Sequence, residues 1–296
     1  MYKFLPDTAL LILVMGLCLS AVQAYADAYV LRFSDTPVLR AHPRQNHQPF
    51  RLVPPMPTPE LPTKPAADWL QQNGWKRVWP RLGLGKYQAL LFGGPAAQRY
   101  LRVDADSASY IWTRKTDLDP HKWPMFEITW GVDRFPQQAA LDMYKRNDLP
   151  IAIIVSFGPK VSDNHLLPNV PRGLAFFWDE TATIDANYTC VPARNGPADK
   201  KLQCIYPHIK YIALRSGGAG SLHTDKVNLV EHFKKNFPDY WREHQRVPPI
   251  VAVSVEARSN DTDSTSNARL YALTFTTPAT TTKPAPSTTE GTLDGN

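Results

Sequence analysis

The 296-residue chain predicts an antiparallel β-sandwich of jelly-roll type with one inserted helix. Three observations carry this expectation. Between residues 66 and 276, nine short runs rich in Val, Ile, Tyr, Phe and Trp are each fenced by Pro, Gly, Asp or Asn. Only one long stretch there has helical periodicity, whereas a βαβ fold needs a helix between successive strands. Proline fills 28 positions, roughly twice the usual 5% share, which argues against a helical bundle. With 43% hydrophobic residues the chain can bury a sizeable core, which excludes a wholly disordered or fibrous protein.

From the start of the chain, Lys3 opens a short basic region and Ala9 to Ala21 (ALLILVMGLCLSA) is apolar. Val22-Gln23-Ala24 and Ala24-Tyr25-Ala26 then offer small residues to a signal peptidase. Residues 1–26 read as a Sec signal peptide cleaved after Ala24 or Ala26, because the apolar run falls short of the ~20 residues that span a bilayer. The mature chain is expected outside the cytoplasm, in the periplasm or the medium, with no membrane span. Residues 27–65 read as an extended Pro-rich arm, nine prolines falling between 37 and 65. Residues 66–276 form the sandwich domain, and 277–296 a disordered Thr/Pro-rich tail.

Within the domain, Ala67 to Asn73 reads as a short helix. The predicted strands are Tyr87–Phe92, Arg99–Val103, Ser109–Lys115, Met125–Val132, Ile151–Phe157, Leu174–Trp178, Ile209–Leu214, Ile250–Ala257 and Arg269–Phe275. The main helix is expected over Lys226–Lys235, since Val227, Val230 and Phe233 recur three apart, with Thr224 or Asp225 as cap and Pro238 as terminator.

These segments, taken in order, resemble the DUF3047 family of bacterial exported proteins. The resemblance rests on YIWTRKTDLDPHKWPMFEITWGVDRFP, on the strands IAIIVSFG and GLAFFWDE, on YIALRSG before a helix leading to NFPDYW, and on PPIVAVSVEARSNDTDSTSNARLYALTF. It covers about residues 75 to 276. The last piece holds a D-x-D-x-T loop, Asp261 to Thr265. The chain departs from the family at Ser266-Asn267, where members often have Gly, and in the insert from Cys190 to Cys204. The resemblance implies a galactose-binding-like β-sandwich and carries no established activity.

Three Asp-x-Asp pairs, Asp104/Asp106, Asp117/Asp119 and Asp261/Asp263, place two carboxylates on one face of an extended chain. At strand ends such pairs also cap turns. The loop around Asp261 and Asp263 packs enough oxygens to suit a structural Ca²⁺, the one cofactor the sequence suggests. Glu127 and Glu256 lie on predicted strands, where an outward, solvated position competes with a hydrolase role. The glycine-rich run from Arg215 to Ser221 follows a strand and precedes the expected helix, but it lacks a P-loop ending. Ser221, His223 and Asp225 look like a triad only in print, because G-x-S-x-G is absent. The eight His form no metal motif, and a net charge of +6 spread over the chain shows no basic stripe for nucleic acid.

Trp112, Trp130 and Trp178 fall on strands and Arg134 follows one of them. Flat rings beside hydrogen-bonding groups suit a sugar, so these four are candidate ligand-binding residues; burial in the core is the competing reading. The leading functional expectation is a non-catalytic, exported sandwich binding a glycan or another envelope component. The alternatives are an envelope hydrolase built on strand carboxylates, its catalytic residues unknown, and an assembly factor that holds a protein partner with its Pro-rich arm.

After signal cleavage two cysteines remain, Cys190 and Cys204. In an oxidising compartment, with no His at ligand spacing nearby, they read as a disulfide closing a short loop worth about 3 kcal/mol. Alkylation followed by intact-mass measurement is expected to find no free thiol until a reductant is added; two labelled thiols in the unreduced protein would refute the bridge.

Overall fold

A computed structural model describes residues 28–32, 64–78, 87–93, 99–141, 143, 145–161, 169–188 and 207–277. In chain order the elements are β1 (Ala28–Arg32), β2 (Lys64–Pro65), α1 (Ala67–Gln72), β3 (Trp75–Val78), β4 (Tyr87–Gly93), β5 (Tyr100–Asp106), β6 (Ser109–Leu118), β7 (Met125–Arg134) and β8 (Leu149–Val161). They continue with β9 (Val170–Asp179), β10 (Asn187–Tyr188), β11 (Ile209–Ser216), β12 (Leu222–Asn228), α2 (Leu229–Asn236), α3 (Pro238–His244), β13 (Ile250–Arg258) and β14 (Thr265–Thr276). The expected signal peptide, the Cys190–Cys204 pair and the tail beyond Thr277 lie outside the described residues.

The strands build two seven-stranded sheets, as a sandwich requires. The first runs β12-β7-β14-β5-β4-β2, with β1 also paired to β14. The second runs β10-β11-β9-β8-β13-β6-β3. Neighbours are antiparallel except β9 and β11, which are parallel. All nine predicted strands are present, most of them longer than expected. Five more escaped the sequence: β1, β2, β3, β10 and β12, each short or polar. Of these, β1 corrects the reading of residues 27–65 as an arm throughout. Ala28–Arg32 pair with Ala272–Thr276, and Leu31 is buried.

Alternation supplies the core. On β7, Phe126, Ile128, Trp130 and Val132 point between the sheets, and on β14 Leu270, Leu273 and Phe275 do the same. They meet Ile151, Ile153, Val155 and Phe157 of β8 and Leu174, Phe176 and Trp178 of β9. Phe126 lies 4.6 Å from Phe275 and 6.2 Å from Phe176, ring centre to ring centre, so it ties the two sheets together.

The sheets differ on their outer faces. β8 has ten consecutive buried residues, because Ala152 and Ile154 join Leu141, Ala175 and Phe177 in a second apolar cluster on the far side of its sheet. A strand covered on both faces reads as the continuous apolar run IAIIV. The first sheet keeps a strict in-out alternation on β5, and its outer face is polar.

Two short helices, α2 and α3, stand where one was expected, in addition to the short α1 foreseen at Ala67. Residues Lys226–Asn228 belong to β12, because His223, Asp225 and Val227 still alternate towards the interior opposite Trp130, Ile128 and Phe126. Helix α2 starts afterwards, capped by Asn228, whose side chain accepts from the amides of Val230 and Glu231. Pro238 does more than stop it. It occupies the first turn of α3, where a missing N–H costs nothing. Asn228→Ala is expected to lower unfolding stability by about 1 kcal/mol in urea titration. Thr224→Ala, which removes only a hydroxyl bonded to Thr129 on the exposed face, is expected to cost much less.

Candidate functional site

The three tryptophans face the interior. Trp112, Trp130 and Trp178 are 6%, 0% and 1% exposed, so the expectation that their rings form a sugar platform is corrected. Each occupies an inward register position, and the polar edges of Trp130 and Trp178 are satisfied inside. The Trp130 indole donates to Asp225 Oδ2 at 2.7 Å, and that of Trp178 to the Gly217 carbonyl at 2.6 Å. Trp178 also lines the depression described below. Arg134 lies at the exposed end of β7, where Nη1 donates to Thr265 Oγ1 at 3.0 Å.

Asp261 and Asp263 sit in the β13–β14 loop, which is organised by a residue the sequence did not single out. The fully buried Asp148 carboxylate accepts from the amides of Asp261 and Thr262 and from Thr262 Oγ1, at 3.2, 2.7 and 2.7 Å. Among the described residues no group of three or more His, Cys, Asp or Glu side chains converges as a metal needs. Asp119 also closes a turn, accepting from the His121 amide at 2.9 Å.

Glu127 and Glu256 are not brought together. Glu127 faces outward from the first sheet and pairs with Lys226 at 2.7 Å. Glu256 belongs to the second sheet and is buried rather than solvated, accepting from the Tyr211 hydroxyl at 2.8 Å with Arg258 Nε at 3.4 Å from its other oxygen.

What the fold does assemble is a polar patch on the outer face of the first sheet. Alternation turns Tyr100, Arg102 and Asp104 of β5 outward, and the pairing of β5 with β14 sets Asn267, Arg269 and Tyr271 alongside. The Tyr100 and Tyr271 rings lie 5.0 Å apart at 44°. Arg102 Nε pairs with Asp104 Oδ1 at 3.0 Å, and the Asn267 amide donates to the same oxygen. Arg269 Nη2 pairs with Asp133 at 2.7 Å and donates to the Gly220 carbonyl at 3.1 Å. Burial pushes the Asp104 carboxyl above its usual range, against the pull of Arg102. Burial likewise raises both tyrosines, with Arg269 opposing.

Beside this patch runs the glycine-rich turn from Gly217 to Gly220. It crosses from β11 in the second sheet to β12 in the first, so the expected helix does not follow it, and the strand-to-helix context in which such loops bind phosphate is absent. Gly217, Gly218 and Gly220 have φ of 60°, 73° and 83°, a region other residues enter at a cost. The Gly220 amide donates to the Val132 carbonyl at 2.7 Å while its carbonyl takes Arg269. Gly131 lets the turn come this close, since a Cβ there would stand 2.6 Å from the Ser221 carbonyl oxygen.

On the other side of the turn is a shallow depression of about 180 Å³, lined by Trp178, Ile184, Leu214, Arg215, His223 and the turn itself. His223 Nε2 lies 2.9 Å from Ser221 Oγ, but that hydroxyl donates to the Gly218 carbonyl at 2.6 Å. Asp225 is engaged by Trp130 and by Arg215 Nε, at 2.7 Å each. The three residues that resemble a triad in print are therefore committed to holding the turn. Burial and then Arg215 push the His223 imidazole below its usual value, with Asp225 opposing.

No curated protein matches the chain. Among solved structures it is similar to the xyloglucanase domain of NopAA, a type three effector from Sinorhizobium fredii, in complex with cellobiose. That likeness has 11% identity and a TM-score of 0.34, over 69% of this chain and 92% of that one. It is also similar to the endoglucanase Cel12A from Rhodothermus marinus, with 10% identity and a TM-score of 0.32, over 73% and 96%. Likenesses at this level say nothing about the site. The family match does reach it, spanning residues 87–274 and so every residue of the patch, the turn and the depression. The chain belongs to the DUF3047 family, described as proteins of unknown function.

Proposed function

We propose that this is an exported, non-catalytic protein that binds a glycan or another cell-envelope component on the outer face of its first sheet. The observation that carries the reading is the patch itself. Two tyrosine rings lie side by side, flanked by the Arg102–Asp104 and Arg269–Asp133 pairs, which offer donors and acceptors at fixed positions. Sugars need this combination of apolar ring faces and oriented polar groups. The patch is also kept at a cost, because Asp104 is held partly buried with its charged form disfavoured.

One observation favours a hydrolase instead. A carboxyl raised by burial suits a general acid, and Asp133 stands on β7, two strands from Asp104 on β5. Two strand spacings are about 9.5 Å, at the upper end of the separation in inverting glycosidases. Arg269 and Asn267 lie between them and bond to one carboxylate each, which favours binding over turnover.

Immobilised polysaccharides and soluble oligosaccharides, assayed for retention and for new reducing ends, separate the readings. Retention without new ends is expected, with Tyr271→Ala lowering affinity at least tenfold while the protein stays folded. Reducing ends that vanish in Asp104→Asn establish the hydrolase, and failure of every glycan to be retained removes both readings.

The direction of the Asp104 shift makes a second expectation. A carboxyl whose folded pKa is raised contributes stability below its unfolded pKa, and that contribution disappears as pH rises through the folded value. Thermal unfolding from about pH 3 to about pH 8 should show the native protein losing stability relative to Asp104→Asn as pH rises. The opposite slope would mean that the Arg102 pair outweighs burial.

A further inference from the structure

The depression holds a fixed cation that the polar patch does not use. Trp130 is fully buried, so the core sets the position of its indole N–H, and that N–H sets Asp225 Oδ2. The same oxygen accepts from Arg215 Nε at 2.7 Å, and the guanidinium lies 5.6 Å from the centre of the Trp178 ring. Arg215 is thereby oriented from one edge only. Among the described residues neither of its Nη groups has a hydrogen-bond partner, and the side chain, 28% exposed, lines the depression. A guanidinium anchored through Nε presents two parallel N–H donors, the geometry that matches a carboxylate.

The surroundings select further. Ile184, 55% exposed, and Leu214 form an apolar wall, while Gly217 and Gly218 allow a ligand to approach the backbone closely. The volume of about 180 Å³ has room for a single sugar ring. His223, held towards its neutral form by burial and by Arg215, leaves the guanidinium as the cation of the site. The chain as a whole carries a net charge of +6, which favours approach of an acidic polymer.

We propose that the depression takes a carboxylate-bearing sugar, a hexuronate residue, with its carboxylate on the Nη edge of Arg215 and its ring against Ile184 and Leu214. This rests on the glycan-binding reading and names its ligand class: an acidic glycan whose uronate sits in the depression while neighbouring sugars pass the Gly217–Gly220 turn to Tyr100 and Tyr271.

Calorimetric titration of the full exported chain with an oligogalacturonate, its methyl ester, a neutral oligosaccharide of equal length and acetate tests it. The acid is expected to bind at least tenfold more tightly than the ester, and Arg215→Gln to abolish that preference. Equal binding of acid and ester by the unaltered protein overturns the proposal whatever the variant does to folding. So does acetate binding as tightly as the sugar acid, because the ring would then contribute nothing. A neutral oligosaccharide that binds as well as the acid removes this inference and leaves glycan binding standing, whereas no binding by any sugar removes both.

Discussion

A buried indole N–H has to find an acceptor, and at Trp130 this requirement organises one end of the molecule. Its ring is fully covered between the sheets, and leaving the N–H unpaired would cost on the order of 1–3 kcal/mol. Asp225 meets the need from β12, and a carboxylate placed there requires a cation in turn. Arg215 supplies it from β11, in the opposite sheet. The glycine-rich turn between those strands then has to cross the end of the sandwich, where Trp178 donates to Gly217 and Gly220 bonds to Val132 and Arg269. A core packing demand is in this way converted into a surface feature, with a guanidinium oriented beside a depression.

The two sheets divide the remaining work by how much of each is covered. Apolar residues cover the central strands of the second sheet on both faces, and even its polar residues Glu256 and Arg258 are buried against each other. The first sheet is apolar towards the core and polar outside. Exposed polar groups therefore concentrate on the first sheet and on the turn that joins it to the second. The carboxylates of Glu127 and Glu256, one on each sheet's outward side, have no common space in which to act.

Much of the fold was legible because strand signals are local. The runs around Phe126, Ile153, Phe176 and Val255 are dense in strand-forming residues, and all became central strands. β12 was misread because Val227, Val230 and Phe233 satisfy a helical spacing by accident, Val227 being the last strand residue facing the core. The cap at Asn228 follows from that boundary and could not be placed without it. The tryptophans were misjudged for a different reason. Alternation shows that Trp112 and Trp130 share a side with other apolar residues, yet which side faces the partner sheet is decided by the partner. Tyr100 and Tyr271, offset by one register from the core positions, carried the outward signal in the patterns Tyr-x-Arg-x-Asp and Asn-x-Arg-x-Tyr.

By itself, then, the sequence determined the sandwich class, the central strands and the family, since each depends on residue type and spacing within a few positions. Only the tertiary structure decided the site. Trp130 and Asp225 are 95 residues apart, and Asp104 and Asn267 are 163 apart. Period-two alternation states which residues of one strand share a face, but the register between strands states who stands beside whom. That register is set by burying both sheets against each other, a condition no single strand contains.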